Sequence, residues 1–567
     1  MTKNVLLSTT LSLVALQLGS RLFSFGLNQL LVRSTTPAAF GVATIQFDTL
    51  RDTVLFLLRE GIRGAVIRTR SSSTPTDLQK QSRLIPVLLS PLVLPIFYTF
   101  HFLTSSSSSP PTSYTLTLAL YALSTIIELL SEPSYLITLS SWETLTSTRV
   151  RIEGLAVVTK ALTTLLALNS LDQTKALEAY GWGQLVYSLT LFIGLEYSTR
   201  KNSNDKNWKL KARKSDDKMN NGSYFDKEIK TVGWALTKQS IVKQVLTEGD
   251  KLAVSKFGNS QDLGTYAVAL NYGSLVARII FQPLEESSRL YFSSLSPSIS
   301  SSSTSTPPLV RLEALHKISL HLSNLLNFYT HFSLILIFLL PPYISPLLTI
   351  LLGTEWSKTS SSTLKFYLNL LPFLAFNGLL ESGFQSFANQ KWLKLGSYWF
   401  GVCTLGFAST VFYTMGNRED GDSWGSKGLI VGNCVNMGMR ILFSGFFLKT
   451  FLEDKLKEIQ VELEVERRGG KSKEEKEKEE ELKKVIEIEK KRIWEVIKIW
   501  NWIPSVITIF TFYLGGKICR ASEENWLEQQ QQLLLQGGGI SRKVLLKSLT
   551  IHFGIGALVG LSCLGVM

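Results

Sequence analysis

The stretch Phe47-Asp48-Thr49-Leu50-Arg51-Asp52-Thr53, continued by Leu58-Arg59-Glu60-Gly61-Ile62-Arg63, threads charges through an apolar run long enough to be a helix. Asp48, Arg51, Asp52, Arg59 and Arg63 make a stripe along such a helix, because residues three and four apart share a face. The pattern recurs. Gln17, Arg21, Ser24 and Asn28 fall at steps of four, three and four. Asn271, Ser274, Arg278, Gln282, Glu285 and Arg289 form a third stripe, and Asn377, Glu381 and Gln385 a fourth. An ionisable residue at the centre of a membrane span costs about 2.5–3.5 kcal/mol on insertion scales. Snorkelling relieves one such charge. Aligned rows on several helices instead predict a shared hydrated interior, in which Arg with Asp or Glu can pair and partly offset desolvation.

Working outward, the chain of 567 residues divides into long apolar runs and polar loops. Its mean hydropathy of +0.15 averages over the two. A spanning helix needs about 20 mostly apolar residues. Candidate spans lie at 5–32, 38–60, 84–104, 114–140, 150–169, 178–198, 229–257, 262–294, 314–340, 363–388, 392–415, 424–451, 494–515 and 544–566. Lipid satisfies no loose backbone group, so such a chain spans as helices, and no alternating pattern suggests a membrane barrel. The fold class expected is therefore all-α, a polytopic membrane protein of about 14 transmembrane helices. The seventh span is the most polar, with Lys238, Lys243, Glu248, Asp250 and Lys251, and should face a wet cavity. The first span, long and carrying Arg21, does not read as a cleaved signal peptide.

The net charge of +14 follows the positive-inside rule and does not point to nucleic acid. With the N-terminus in the cytosol, the basic loops after spans two and six and the Lys/Glu run near 452–493 all fall on the cytosolic side. The exception is the last luminal loop, with Lys517, Arg520, Arg542 and Lys543. Both termini are expected in the cytosol, and so is the sequon Asn221-Gly222-Ser223, which should stay unmodified. The segment 453–493 reads as a solvated charged helix or loop. The Ser-rich patches (Ser105–Ser109, Ser300–Ser303, Ser360–Ser362) and Gln529–Gln532 read as polar connectors. Four scattered cysteines and His316 with His321 give no metal spacing. No Gly-rich phosphate loop is present, and the luminal loops nearly lack carboxylates, so neither an ATP-driven pump nor a glycosyltransferase is expected.

A short internal echo divides the chain. Ala39-Phe40-Gly41-Val42-Ala43 opens the second span and Asp262-Leu263-Gly264-Thr265-Tyr266-Ala267 the eighth, and Glu60 with Arg63 is echoed by Glu286 with Arg289. Repeats of this kind build secondary transporters, with the site between halves. The expected organisation is an N-lobe over 1–198, a basic cytosolic linker over 199–228, a C-lobe over 229–452, a charged cytosolic loop over 453–493, and an appended helix pair over 494–567. Glu128 and Glu132, beside Pro133, read as a kinked helix end, while Lys160 and Arg440 stay open.

Five strings carry a resemblance beyond pattern: Leu22-Phe23-Ser24-Phe25-Gly26-Leu27-Asn28-Gln29, the Phe47–Thr53 and Leu58–Arg63 runs, Leu246-Thr247-Glu248-Gly249-Asp250-Lys251, and Gln282-Pro283-Leu284-Glu285-Glu286-Ser287-Ser288-Arg289. They resemble the eukaryotic Man(5)GlcNAc(2)-PP-dolichol translocation family, within the multidrug/oligosaccharidyl-lipid/polysaccharide exporter superfamily. Gly353-Thr354-Glu355-Trp356, after Pro341-Pro342 and Pro346, resembles that superfamily's short segment after the ninth helix. The resemblance implies a two-lobe flippase fold like that of bacterial lipid II flippases, with a V-shaped central cavity and an extra helix pair. It also implies residence in the endoplasmic reticulum and an oligosaccharide-pyrophosphate-dolichol cargo, moved to the luminal leaflet for N-glycosylation by alternating access. The expected headgroup contacts are Arg21, Asn28, Arg51, Arg63, Arg278, Glu286 and Arg289, since arginine's planar fork binds phosphate bidentately. Gating or coupling falls to Asp48, Asp52, Glu248, Asp250 and Glu381. No cofactor or metal is implied, and a monomer in contact with membrane lipids is expected. Two other readings accompany this one: a cation-coupled drug antiporter of the same fold, which would use Asp48 and Asp52, and an accessory scaffold for glycolipid flipping.

Overall fold

The computed structural model describes residues 26–68, 82–104, 113–140, 142–172, 175–202, 226–300, 307–415, 424–467, 504–535 and 542–565, together with 488 and 491. Among these the chain is helical throughout. After a helical stretch at 26–33, the rods are α1 (Pro37–Gly41, a π-helical turn Val42–Phe47, then Asp48–Arg68), α2 (Ile85–Leu88, Ser90–Leu92 and Val93–Thr104), α3 (Tyr114–Ser140), α4 (Trp142–Ser170), α5 (Ala176–Asn202) and α6 (Lys227–Phe257). Then come α7 (Ser260–Val268 continuing through two π turns into Gln282–Ser300), α8 (Pro308–Leu334 and a π turn Ile335–Leu339), α9 (Pro341–Leu351), α10 (Thr354–Tyr367), α11 (Leu370–Phe387), α12 (Gln390–Met415), α13 (Ser426–Arg467), α14 (Val506–Leu535) and α15 (Arg542–Leu564). Seven helices among the described residues are long and apolar enough to cross a membrane by length and composition alone, including Tyr114–Thr138, Val310–Leu339 and Gln390–Met415. The protein is a multi-pass membrane protein. Other rods of spanning length are more polar, α1 with its charged stripe and α6 among them.

Two compact units divide at Ala267 and Val268, inside α7. In the first unit α6 packs along α1. A Cβ at Gly61 of α1 would meet the Gly233 carbonyl oxygen at 2.6 Å, and Gln244 Nε2 donates to Thr53 Oγ1 at 2.9 Å. Small residues let the other rods of this unit close up as well, the usual device where lipid offers no hydrophobic drive between helices. Gly181 of α5 lies against Leu120 and Thr117 of α3, and Gly183 against Thr164 of α4. Phe47 packs on Tyr114 and Tyr121, with ring centroids 5.0 and 5.2 Å apart.

In the second unit Gly383 of α11 faces Leu448 of α13, and Phe384 sits edge-on to Phe443 and Phe447. The α14–α15 pair is pinned by Leu334, Leu339, Phe512 and Cys563, by Tyr343 stacked on His552 at 4.6 Å, and by Lys365 to Glu523 at 2.6 Å. Gly353, at φ +103°, turns the chain between α9 and α10, a backbone region open chiefly to glycine.

Three local readings need correction. Ser360–Ser362 lie inside α10, with Ser360 wholly buried, so this patch is no connector. Gln529–Gln532 lie in the second half of α14, because Glu, Gln, Ala and Leu propagate a helix readily. Glu128 and Glu132 are not at a helix end: α3 runs on through Pro133 to Ser140, as spanning helices can where neighbours re-satisfy the freed groups.

Candidate functional site

The arginine stripe of α1 meets those two glutamates. Helical rise sets the Cα atoms of Arg51 and Arg59 about 12 Å apart along the axis, and those of Arg59 and Arg63 about 6 Å. Their long side chains nevertheless converge on one strip of α3. Arg51 Nε donates to Glu128 Oε1 at 2.8 Å, and its Nη2 lies 2.6 Å from the same oxygen. Arg63 grips Glu132 with both limbs of its fork, Nε to Oε1 and Nη2 to Oε2, the latter at 2.8 Å. Arg59 stands between them, with Nη1 3.7 Å from Glu128 and 4.0 Å from Glu132, too far for a hydrogen bond to either. The carboxylates lie beneath the row, 3% and 1% exposed, while the three guanidinium side chains keep 11–24% of their surface open.

Neighbours brace the row. Gln184 of α5 donates to Glu128 Oε1 at 3.2 Å. The Arg63 guanidinium lies 3.9 Å from the centroid of Tyr135, Arg149 approaches the same ring at 5.3 Å, and Arg51 lies over Tyr187 at 5.4 Å. Such stacking favours a partly desolvated guanidinium. Asp48 accepts from Tyr121 Oη at 3.2 Å and from Lys160 of α4 at 3.4 Å. Asp52, 59% exposed, accepts from Arg51 Nη1 at 2.7 Å. Arg51, Arg59, Arg63 and Lys160 are thus matched by Asp48, Asp52, Glu128 and Glu132, and the cluster is formally neutral.

The other expected residues are distributed as follows. Arg21 lies outside the described residues, and Asn28 is half-buried on the 26–33 helix. On α6, Glu248 pairs with Lys251 at 2.6 Å, and Asp250 accepts from Tyr266 Oη at 2.7 Å. In the second unit Arg278 is exposed and donates to the carbonyl of Asn271 on its own helix at 3.1 Å. Glu286 is exposed, and Arg289 bonds Glu285 one turn back at 3.1 Å. Glu381 of α11 gathers Arg440 of α13 at 2.7 Å, Asn377 at 3.1 Å and Gln385 at 3.2 Å. The structure therefore brings Asp48, Arg51, Asp52 and Arg63 together in the first unit and joins Glu381 to Arg440 in the second.

Sequence reasoning missed Glu128 and Glu132 as partners of the row. A signal was present: two carboxylates four apart in an otherwise apolar span call for cations across from them. Arg59 was part of the stripe, yet outside the expected headgroup contacts. The fork free of any carboxylate hydrogen bond is the one the pattern did not single out.

Against known proteins, residues 6–518 match the family model described as Rft protein. The chain belongs to the Rft protein family. Among Rft relatives, the Man(5)GlcNAc(2)-PP-dolichol translocation protein of Candida albicans is 32% identical over 462 residues, covering 77% of this chain and 81% of that one. The protein of the same name from Schizosaccharomyces pombe is 31% identical with the same coverage. Among solved structures, this Rft chain resembles the lipid II flippase MurJ in an inward closed conformation, with a TM-score of 0.54 over 95% of this chain and 97% of that one, at 12% identity. That likeness is one of fold alone, an all-helical membrane architecture.

Proposed function

We propose that this Rft protein translocates Man(5)GlcNAc(2)-PP-dolichol from the cytosolic to the luminal leaflet of the endoplasmic reticulum membrane. The name that the relatives share supplies the cargo. The observation that carries the reading is the α1 row, in which Arg59 offers a fork with no hydrogen-bonded carboxylate between two guanidinium groups that buried glutamates hold in place. A pyrophosphate has oxygens enough to engage two forks at once, and charge-assisted bonds of this kind are the strong ones. The isoprenoid tail stays in lipid throughout. The sugars need a hydrated path, because polar groups stripped of water without new partners cost several kcal/mol each.

The transport cycle we propose is alternating access: the row meets the cytosolic leaflet, takes the headgroup, and later opens to the lumen. Both termini lie in the cytosol in this scheme, and Asp48, Glu248, Asp250 and Glu381 are the candidates for coupling. A monomer suffices. One observation favours the accessory reading: the cluster's charges balance, as a purely structural staple would also require.

The test is cellular. In cells depleted of their own Rft protein, Arg59→Ala should fail to restore N-glycosylation and should accumulate the heptasaccharide lipid, at wild-type protein levels. Full complementation by Arg59→Ala and by Arg59→Ala/Arg63→Ala would remove the row from the function.

A further inference from the structure

Arg51 is held from two sides by carboxylates of opposite character. Its Nε and Nη2 go to Glu128, which is 3% exposed and also receives Gln184. Its Nη1 goes to Asp52, which is 59% exposed. Adjacent residues on a helix do not share a face, so this second contact exists only because the long arginine reaches back to it. An ion pair with one partner open to solvent contributes little to stability. A buried one, broken on one side, leaves an uncompensated charge. The two carboxylates therefore differ in what their loss would do.

We propose that Asp52 is the protein's internal stand-in for the cargo anion, occupying the outward limb of Arg51 until a phosphate displaces it, while Glu128 and Glu132 remain in place as positioning residues. This deepens the transport reading and rests on it. A phosphate arriving from the open side meets Arg51 Nη1 and the uncommitted fork of Arg59, two guanidinium groups that share the Glu128 carboxylate within 4 Å. It brings more charge than one carboxylate and can bridge both forks, which Asp52 cannot do. The displaced Asp52 is not stranded, because its side chain is 59% exposed. The exchange keeps the row from standing uncompensated in the membrane when no cargo is bound, and it sets a threshold: only an anion stronger than a single carboxylate takes the site.

The proposal makes predictions of opposite sign for neighbouring acids. Binding of inorganic pyrophosphate to the full chain in nanodiscs of uncharged lipid is the readout, with a thermal melt to verify folding. Asp52→Asn should tighten pyrophosphate roughly five- to tenfold, the effect of removing one competing charge beside a partly exposed site. Asp52→Ala should do the same. Glu128→Gln should weaken pyrophosphate, or abolish its binding, because Arg51 loses its anchor. Asp172→Asn, an exposed acid of the same unit away from the row, should change nothing. Unchanged or weaker binding by both Asp52 variants, with the wild type binding normally, overturns the stand-in and leaves the arginine site intact. An equal gain from Asp172→Asn overturns it as well, by tracing the effect to bulk charge. Wild-type protein that binds no pyrophosphate at all overturns both this proposal and the site on which it rests.

Discussion

Arg59 and Arg63 stand one helical turn apart on α1, yet their loss should have different consequences. Arg63 binds Glu132 with both limbs of its fork, and Glu132 is 1% exposed. Arg63→Ala leaves that carboxylate buried without a hydrogen-bonded cation, Arg59 standing 4.0 Å away, a change that costs about 3–5 kcal/mol. Its melting temperature should fall well below that of the wild type. Arg59 reaches no closer than 3.7 Å to either glutamate. Arg59→Ala should therefore melt within about 1 kcal/mol of wild type, the range for a loosely held ion pair, while losing anion binding. Arg59→Lys should rescue poorly, because an ammonium cannot reproduce the planar fork. Equal destabilisation by the two alanine variants would contradict the assigned difference between them. At this scale the sequence was half legible. The row on α1 could be read from spacing, but its partners lie 69 and 77 residues away in the chain, and only packing reveals which arginine they leave free.

Among the elements, the close approach of α1 and α7 is the most exacting. A Cβ at Gly41 would stand 2.1 Å from the Gly264 backbone nitrogen, and one at Gly264 would stand 2.1 Å from the Pro37 carbonyl oxygen. Backbone on both sides leaves nothing flexible to yield. Gly41→Ala and Gly264→Ala should each sharply reduce the yield of folded protein in detergent, whereas Gly26→Ala, with open space around it, should not. These two glycines belong to the strings that echo each other in the sequence. The offset that lays Glu60 and Arg63 on Glu286 and Arg289 also lays Val42 on Val268, and each rod is wound as π helix from about that point, at Val42–Phe47 and Ala269–Gly273. Such turns concentrate where a helix must reorient side chains for function. The echo was visible in the residues. The π turns were not, since their extra backbone residue leaves no side-chain signature. Boundaries suffered for a related reason. Gln529–Gln532 and Ser360–Ser362 are polar enough to look like loops, but hydrogen bonding within a rod is indifferent to polarity.

For the molecule as a whole, hydropathy carried the all-helical fold class, because a bilayer restricts the chain to helices more strictly than water does. The α13 rod shows how far polarity lets a helix continue. It runs 42 residues, from Ser426 to Arg467, about 63 Å at the helical rise and twice the hydrocarbon thickness of about 30 Å. Its charged end should project into the cytosol. A glycosylation acceptor inserted after Arg467 should remain unmodified in microsomes, as should Asn221, while one placed in the 104–113 loop should be glycosylated. Modification of the first two would invert the topology. The division of labour proposed for the first unit, with buried acids that position and arginines that bind, is what the transport proposal rests on.

That assignment is tested most directly by reconstituting the purified protein in vesicles and following labelled Man(5)GlcNAc(2)-PP-dolichol from one leaflet to the other. One charged hydrogen-bond pair is worth about 1.5–3 kcal/mol, so wild-type protein should move the lipid about ten- to a hundredfold faster than Arg59→Ala does. Wild-type vesicles that leave the lipid in its starting leaflet, or an Arg59→Ala rate equal to the wild-type rate, would contradict it.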